Sequence, residues 1–211
     1  MRFISVTRTV RTTAAAVALV ATVLAPAARA AEYQVDPAHS EVLFKVKHMT
    51  ISTVSGNFGD FAGTFEFDPA SRTLQGVDAV IQTASISTNN ERRDGHLKSD
   101  DFFNAEKYPT ITFKSTKVTP GKDGHYDLTG DLTIRDKTRP VTLDAVLGGT
   151  VKDMQGKDRA AFTATGKINR QDFGVSWNKS LDNGGLVVSD EVQIQISVEA
   201  VQSAGAGPKT D

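Results

Sequence analysis

Four histidines, no cysteine and a scatter of carboxylates are the reactive chemistry this chain offers. His39, His48, His96 and His125 lie far apart, with no His-x-His or His-Glu-x-x-His spacing and no thiolate to join them. A metal site would need convergence from distant segments. His39-Ser40 has the atoms of a base and a nucleophile, but neighbours in a strand point to opposite faces. Asp100-Asp101 fails as an acid–base pair for the same reason, and helix capping explains Asp100 better. No Gly-x-Ser-x-Gly elbow and no phosphate-cradling glycine loop is present. What remains are polar groups suited to holding a ligand: His39, His48, Asn89, Asn90, Arg93, Asp94 and His96. Arg93 and His96 could meet a phosphate or quinone head group, although Glu91-Arg92-Arg93-Asp94 also reads as a self-paired, solvated surface.

The apolar side is richer. The chain carries 11 Phe, 3 Tyr and 1 Trp, and phenylalanine brings flat apolar area with no polar handle. Phe44, Phe58, Phe61, Phe65, Phe102, Phe103, Phe113 and Trp177, with Val46 and Ile111, are the candidate ligand-binding wall. His48 continues the inward phase of Val42, Phe44 and Val46, so it should face the same interior. These side chains either fill that interior or line an open slot within it, and periodicity alone does not choose.

The elements that must position them are strands. From residue 31 to 203, apolar residues alternate with polar ones in segment after segment. Phe61, Phe65 and Phe67 share a phase, as do Tyr126, Leu128, Leu132 and Ile134, with Gly130 among them. Val141, Leu143, Ala145, Leu147 and Val151 form another set. Val192, Ile194, Ile196 and Val198 form the clearest. Turn residues punctuate these runs at 68–71, 120–124, 135–138, 153–158 and Asn183-Gly184-Gly185. Only 86–109 departs from the pattern: Asn89-Asn90 can cap a short helix, and Ser99 or Asp100 a second one bearing Phe102 and Phe103, before Pro109 stops it. About eight one-sided strands can hide their apolar faces as a sandwich or as a closed barrel. Gly56, Gly63 and Gly148-Gly149, read as kinks, favour closure.

Composition sets the outer limits. With 39% hydrophobic and 23% charged residues, 211 residues describe an ordinary packed chain. Arg2, Arg8 and Arg11 precede an apolar run of 11 residues, Ala14 to Leu24, and Ala28-Arg29-Ala30 supplies a small-x-small site. The expectation is a signal peptide over 1–30, a barrel domain over 31–203 and a loose tail over 204–211. The apolar run falls short of the roughly 20 residues a membrane helix needs, so no stable membrane insertion is expected. Taking the four arginines of 1–30 from 24 basic residues leaves 20 against 25 acidic ones, a formal charge of −5. Nucleic acid is then a poor partner, because phosphate binding needs a concentrated basic face.

The stretch YQVDPAHSEVLFKVKHMTISTVSGNFGDFAGTFEF from Tyr33 resembles the opening signature of the YceI-like family of polyisoprenoid-binding proteins. The resemblance continues through STNNERRDGHLKSDDFFNAEKYPTITFKST from Ser87, GDLTIRDKTRPV from Gly130, INRQDFG from Ile168 and VVSDEVQIQISVEA from Val187. Asp136 departs from the pattern, where the family more often has glycine in the turn. The resemblance implies an all-β fold: an eight-stranded antiparallel, lipocalin-like β-barrel with a short helical segment at about 90–106. It also implies a long-chain isoprenoid lipid held in an apolar cavity in the periplasm, with no cofactor. At about 0.3 kcal/mol per heavy atom, a chain of roughly 40 such atoms could gain about 12 kcal/mol from an unspecific apolar tunnel. Two readings stay open: a carrier with no chemistry of its own, or an enzyme on an isoprenoid-like substrate using His48 or Asp94/His96. An empty structural barrel is a third, and a homodimer is left open.

Overall fold

The computed structural model describes residues 30–180 and 186–203. The expected signal peptide over 1–30, except its last residue Ala30, the Asn183-Gly184-Gly185 turn and the tail beyond Ser203 lie outside the described residues. Eleven strands run in chain order: β1 (Ala31–Val35), β2 (Glu41–His48), β3 (Ser52–Phe58), β4 (Phe61–Asp68), β5 (Thr73–Gln82) and β6 (Ile86–Ser87). After the helix α1 (Glu91–Lys98) come β7 (Thr110–Pro120), β8 (His125–Ile134), β9 (Lys137–Lys152), β10 (Asp158–Asn169) and β11 (Val188–Gln202).

All pairings between these strands are antiparallel. The order β1-β4-β5-β7-β8-β9-β10-β11 closes on itself through β1–β11, which makes an eight-stranded barrel rather than a sandwich. Closure depends on β11, whose 15 residues serve two partners along one edge. Its end pairs with β1, Val35 opposite Ala200, and its start pairs with β2, Val46 opposite Val192. Between them the one-turn helix at Pro37–His39 steps the chain sideways, capped by the Asp36 side chain. The β2–β3 hairpin and β6 thus extend the wall from β11 at the barrel end that carries α1.

Two expectations need correction. Val151, placed inward with Val141 to Leu147, is 62% exposed. A bulge explains it: Phe162 faces Leu147 and Ala161 faces Gly149, so Gly148 is left unpaired and every later residue of β9 changes face. Gly56, by contrast, makes no kink, because β2 and β3 keep continuous register through the Phe44–Gly56 pair. A Cβ there would lie 2.7 Å from Phe44 Cε1 and 2.8 Å from Thr88 Cγ2. The glycine makes room for the ring of Phe44, as Gly130 does for Phe113. Both rings lie along the wall instead of across the bore.

The helical region is also shorter than expected. Asn90 caps α1 by accepting the Arg93 N–H at 3.0 Å, and α1 ends at Lys98. Ser99 turns extended and becomes the C-cap, so neither Ser99 nor Asp100 starts a second helix. Instead the chain folds back on that end, with the N–H groups of Asn104 and Ala105 donating to Ser99 and Lys98 carbonyls at 2.8 and 2.9 Å. This fold-back lays Phe102 and Phe103 against the barrel, where Phe102 is only 6% exposed.

The interior divides into two halves. At one end Tyr33 stacks on Phe65 at 5.5 Å, and Phe162 meets Phe65 and Phe67 edge-on at 5.3 and 5.2 Å. Tyr33 and Phe67 are fully buried there, and the Tyr126 hydroxyl reaches the Arg72 carbonyl at 2.7 Å. That end is a solid aromatic plug. The other half is not filled.

Candidate functional site

Between the plug and α1 lies a cavity of about 420 Å³, walled by inward residues of the barrel strands and closed over by the 97–103 segment and Trp177. Phe44, Val46 and His48 reach it from β2, Phe58 from β3, Phe61 and Phe65 from β4, and Ile111 and Phe113 from β7. Phe102, Phe103 and Trp177 contribute from the loops, and Arg93 from α1. Twelve of the thirteen candidate side chains therefore share one wall. Asn90 is not among them: its amide oxygen is committed to the helix cap.

The wall is almost wholly apolar, and its polar groups have identifiable tasks. Arg93 donates from Nε to Thr88 Oγ1 at 2.7 Å and from Nη2 to the Thr88 carbonyl at 2.9 Å. Asp94 accepts the Thr88 amide and hydroxyl on one oxygen. Burial pushes Asp94 up, but those Thr88 hydrogen bonds outweigh it and leave the carboxyl below its usual range. His96 Nε2 lies 2.7 Å from Asp101 Oδ2, and its ring meets Phe102 and Trp177 edge-on, each at 5.0 Å. Arg93 and His96 both border the cavity and are solvent-exposed, which puts an opening beside α1.

Two arginines outside the candidate set hold the cover. Arg170 is 5% exposed and borders the cavity, yet its guanidinium is turned to backbone. It donates to the Val175, Trp177 and Ser189 carbonyls and to Asp190 Oδ1, so it ties the Trp177 segment to β11. Desolvation lowers its pKa and the nearby Asp190 charge opposes that shift. Arg135 donates to the Phe102 and Gly174 carbonyls, both at 2.9 Å, and its guanidinium lies 5.5 Å from the Tyr108 ring centroid. Arg170 stands in the INRQDFG motif, and its polarity in a strand-to-turn position was the available signal; Arg135 stands in GDLTIRDKTRPV at the head of the 135–138 turn, which gives no sign of the carbonyls it meets.

The histidines do not converge. His39, His96 and His125 each pair with a different aspartate, Asp36, Asp101 and Asp144. Among the described residues one group has metal-ligand proximity, Asp36, His39 and Glu199, within 4.8 Å of one another. Arg159 already bonds its two carboxylates, at 3.1 Å to Asp36 and 2.7 Å to Glu199. A cation competing there must displace a guanidinium. That cluster lies beside the plugged end, away from α1, since Arg159 faces Val201 at the end of β11.

The model of the YceI-like domain matches residues 33–200. This chain belongs to the YceI-like family. It is 45% identical over 181 residues to Protein YceI of Escherichia coli O157:H7, covering 84% of this chain and 91% of the relative. Among solved structures it resembles Burkholderia cenocepacia BcnA, with a TM-score of 0.69 and 28% identity over 78% of this chain and 98% of BcnA. A polyisoprenoid binding domain from Saccharophagus degradans, implicated in plant cell wall breakdown, shares the fold at a TM-score of 0.60 and 15% identity. That match covers 82% of this chain and 99% of the domain. The YceI-like fold here is thus a closed eight-stranded antiparallel barrel with a single α-helix among the described residues.

Proposed function

We propose that this YceI-like protein binds a long-chain isoprenoid or similar amphipathic lipid, of the prenyl phosphate or quinone type, in the barrel cavity. It serves as an exported, periplasmic carrier and does no chemistry on the lipid. The observation that carries this reading is the apolar cavity of about 420 Å³ that the aromatic plug leaves open. Its volume falls within the range of pockets that hold small organic ligands. At about 30 Å³ per water-sized group, it takes about 14 such groups, or about three isoprene units. A longer chain extends through the opening beside α1.

The family and the fold shared with a polyisoprenoid binding domain support the ligand class. The head group belongs at the rim, where Arg93 keeps Nη1 after Nε and Nη2 are committed to Thr88. Native mass spectrometry with lipid extraction tests the reading. A stoichiometric, unmodified prenyl lipid supports it. Purified protein that is empty and takes up no fluorescent prenyl probe refutes it. Turnover of an isoprenoid-like substrate, abolished by His48→Ala with binding intact, would replace the carrier by an enzyme.

A further inference from the structure

At the α1 end of the barrel, the β2–β3 turn carries an apolar tip that nothing in the fold covers. Ile51 is 83% exposed, Met49 37% and Leu186 40%. The three belong to one surface. The Met49 N–H donates to the Val187 carbonyl at 2.9 Å, Val187 donates to the Lys179 carbonyl at 3.0 Å, and Leu186 bridges to Ser180. The patch is also continuous with the cavity: His48, Val187 and Val188 stand immediately beside it in sequence or register and line the wall.

The backbone of this tip is strained. Met49 and Thr50 have φ of 52° and 63°, and the Ile51 N–H closes the turn on the His48 carbonyl at 3.2 Å. That left-handed pair is the position where Asn-Gly relieves strain, and a β-branched threonine is among the worst occupants. Strain kept at an exposed site calls for a role there, and here it projects apolar side chains into solvent.

Charge decides the partner. Lys47 and Lys179 flank the tip, are exposed, and join no ion pair among the described residues. The acids of the adjoining β11 start are engaged, Asp190 by Arg170 at 3.2 Å and Glu191 by Lys167 at 3.0 Å. The opposite barrel end has an apolar tip too, Met154, beside Asp153 and Asp158, which pair with Arg159 and Lys152, but the apolar barrel cavity does not reach that tip. A greasy tip with a lysine fringe is the pattern that inserts at the head-group boundary of an anionic bilayer.

We infer that the 49–51 turn, with Leu186, Lys47 and Lys179, docks the barrel on a lipid bilayer bearing anionic head groups, with the cavity wall at the membrane surface. The inference rests on the lipid-binding reading above and says where the lipid is exchanged. The test is flotation of the purified protein with phosphatidylcholine vesicles, with and without phosphatidylglycerol, alongside native mass spectrometry of retained lipid. Wild type floats with the anionic vesicles, and less so at high salt. Ile51→Glu lowers the bound fraction roughly tenfold, about what burying one isoleucine supports. Lys47→Glu with Lys179→Glu, which leaves the apolar tip intact, abolishes the preference for phosphatidylglycerol. Both variants retain as much lipid as wild type. Equal flotation of wild type and Ile51→Glu overturns the proposal. So does a wild type that ignores anionic vesicles, or a dimer that Ile51→Glu dissolves without any vesicle binding. Flotation that follows the expected pattern in protein that never holds a lipid supports the docking face and refutes the ligand instead.

Discussion

Ala164 on β10 separates an open bore from a packed one. It is 8% exposed, faces Ala145 across β9 and borders the cavity just beyond Phe162. Ala164→Phe introduces a ring that needs on the order of 150 Å³. That is about five water-sized groups of ligand space at about 30 Å³ each. At about 0.3 kcal/mol per displaced ligand atom, binding weakens by about 1.5 kcal/mol, close to tenfold in Kd. Meanwhile the ring fills space that is vacant without ligand, so the ligand-free protein should unfold at an unchanged or higher urea concentration. In a packed interior the same substitution costs about 1–3 kcal/mol of stability. The assay pairs fluorescent-lipid titration with urea unfolding of delipidated protein. A variant that is destabilised by that amount while its Kd stays put would refute the open cavity.

Three further outcomes follow from the same geometry. Across prenyl alcohols of increasing length, affinity should climb by about 1.5 kcal/mol per five-carbon unit up to about three units and then level off, as read by competition titration; a climb that continues unchanged to the longest chains would mean the bore is deeper than the plug allows. Arg170→Leu should lower the unfolding free energy by about 3 kcal/mol, because the buried Val175 carbonyl and the part-buried Trp177 and Ser189 carbonyls lose their donor; a urea midpoint within error of wild type would show the cover is held otherwise. Hydrogen bonds from Arg159 hold Asp153 below the usual carboxylate range, and those from His39 and then Arg159 do the same for Asp36. Their depressed folded-state values contribute stability that is present above about pH 4 and is lost as pH falls further. Arg159→Leu should flatten that acid limb of the Tm–pH profile, and superimposable profiles would disprove the assignment.

The plug and the cavity explain why one aromatic inventory yields both rigidity and space. Tyr33, Phe65, Phe67 and Phe162 meet through geometry that favours ring contacts, and they close one end. Phe44 and Phe113 are drawn aside instead, each over a glycine on the neighbouring strand. A barrel of eight strands is near the size at which side chains just fill the interior. Small residues such as Gly56, Gly130, Ala145 and Ala164 tip the balance toward an opening in the other half.

Period-two alternation was enough to name the strands, the wet and dry faces, and the eight strand-borne side chains of the wall, because side-chain direction in a strand is a local property. His48 is the clearest case: its phase with Val42, Phe44 and Val46 placed it in the cavity lining without any tertiary knowledge. Alternation could not show that β11 closes the ring by serving β1 and β2 in turn, since pairing joins residues 140 or more positions apart, as His48 and Val188 are. It misplaced Val151, because a single unpaired residue at Gly148 reverses every direction after it. Asn90 looked like a ligand donor until the helix claimed its oxygen, and Arg170 stayed hidden until the carbonyls it satisfies were brought around it. Whether the phenylalanines fill the bore or line it was a question of summed volume between distant strands, which only the folded chain could answer.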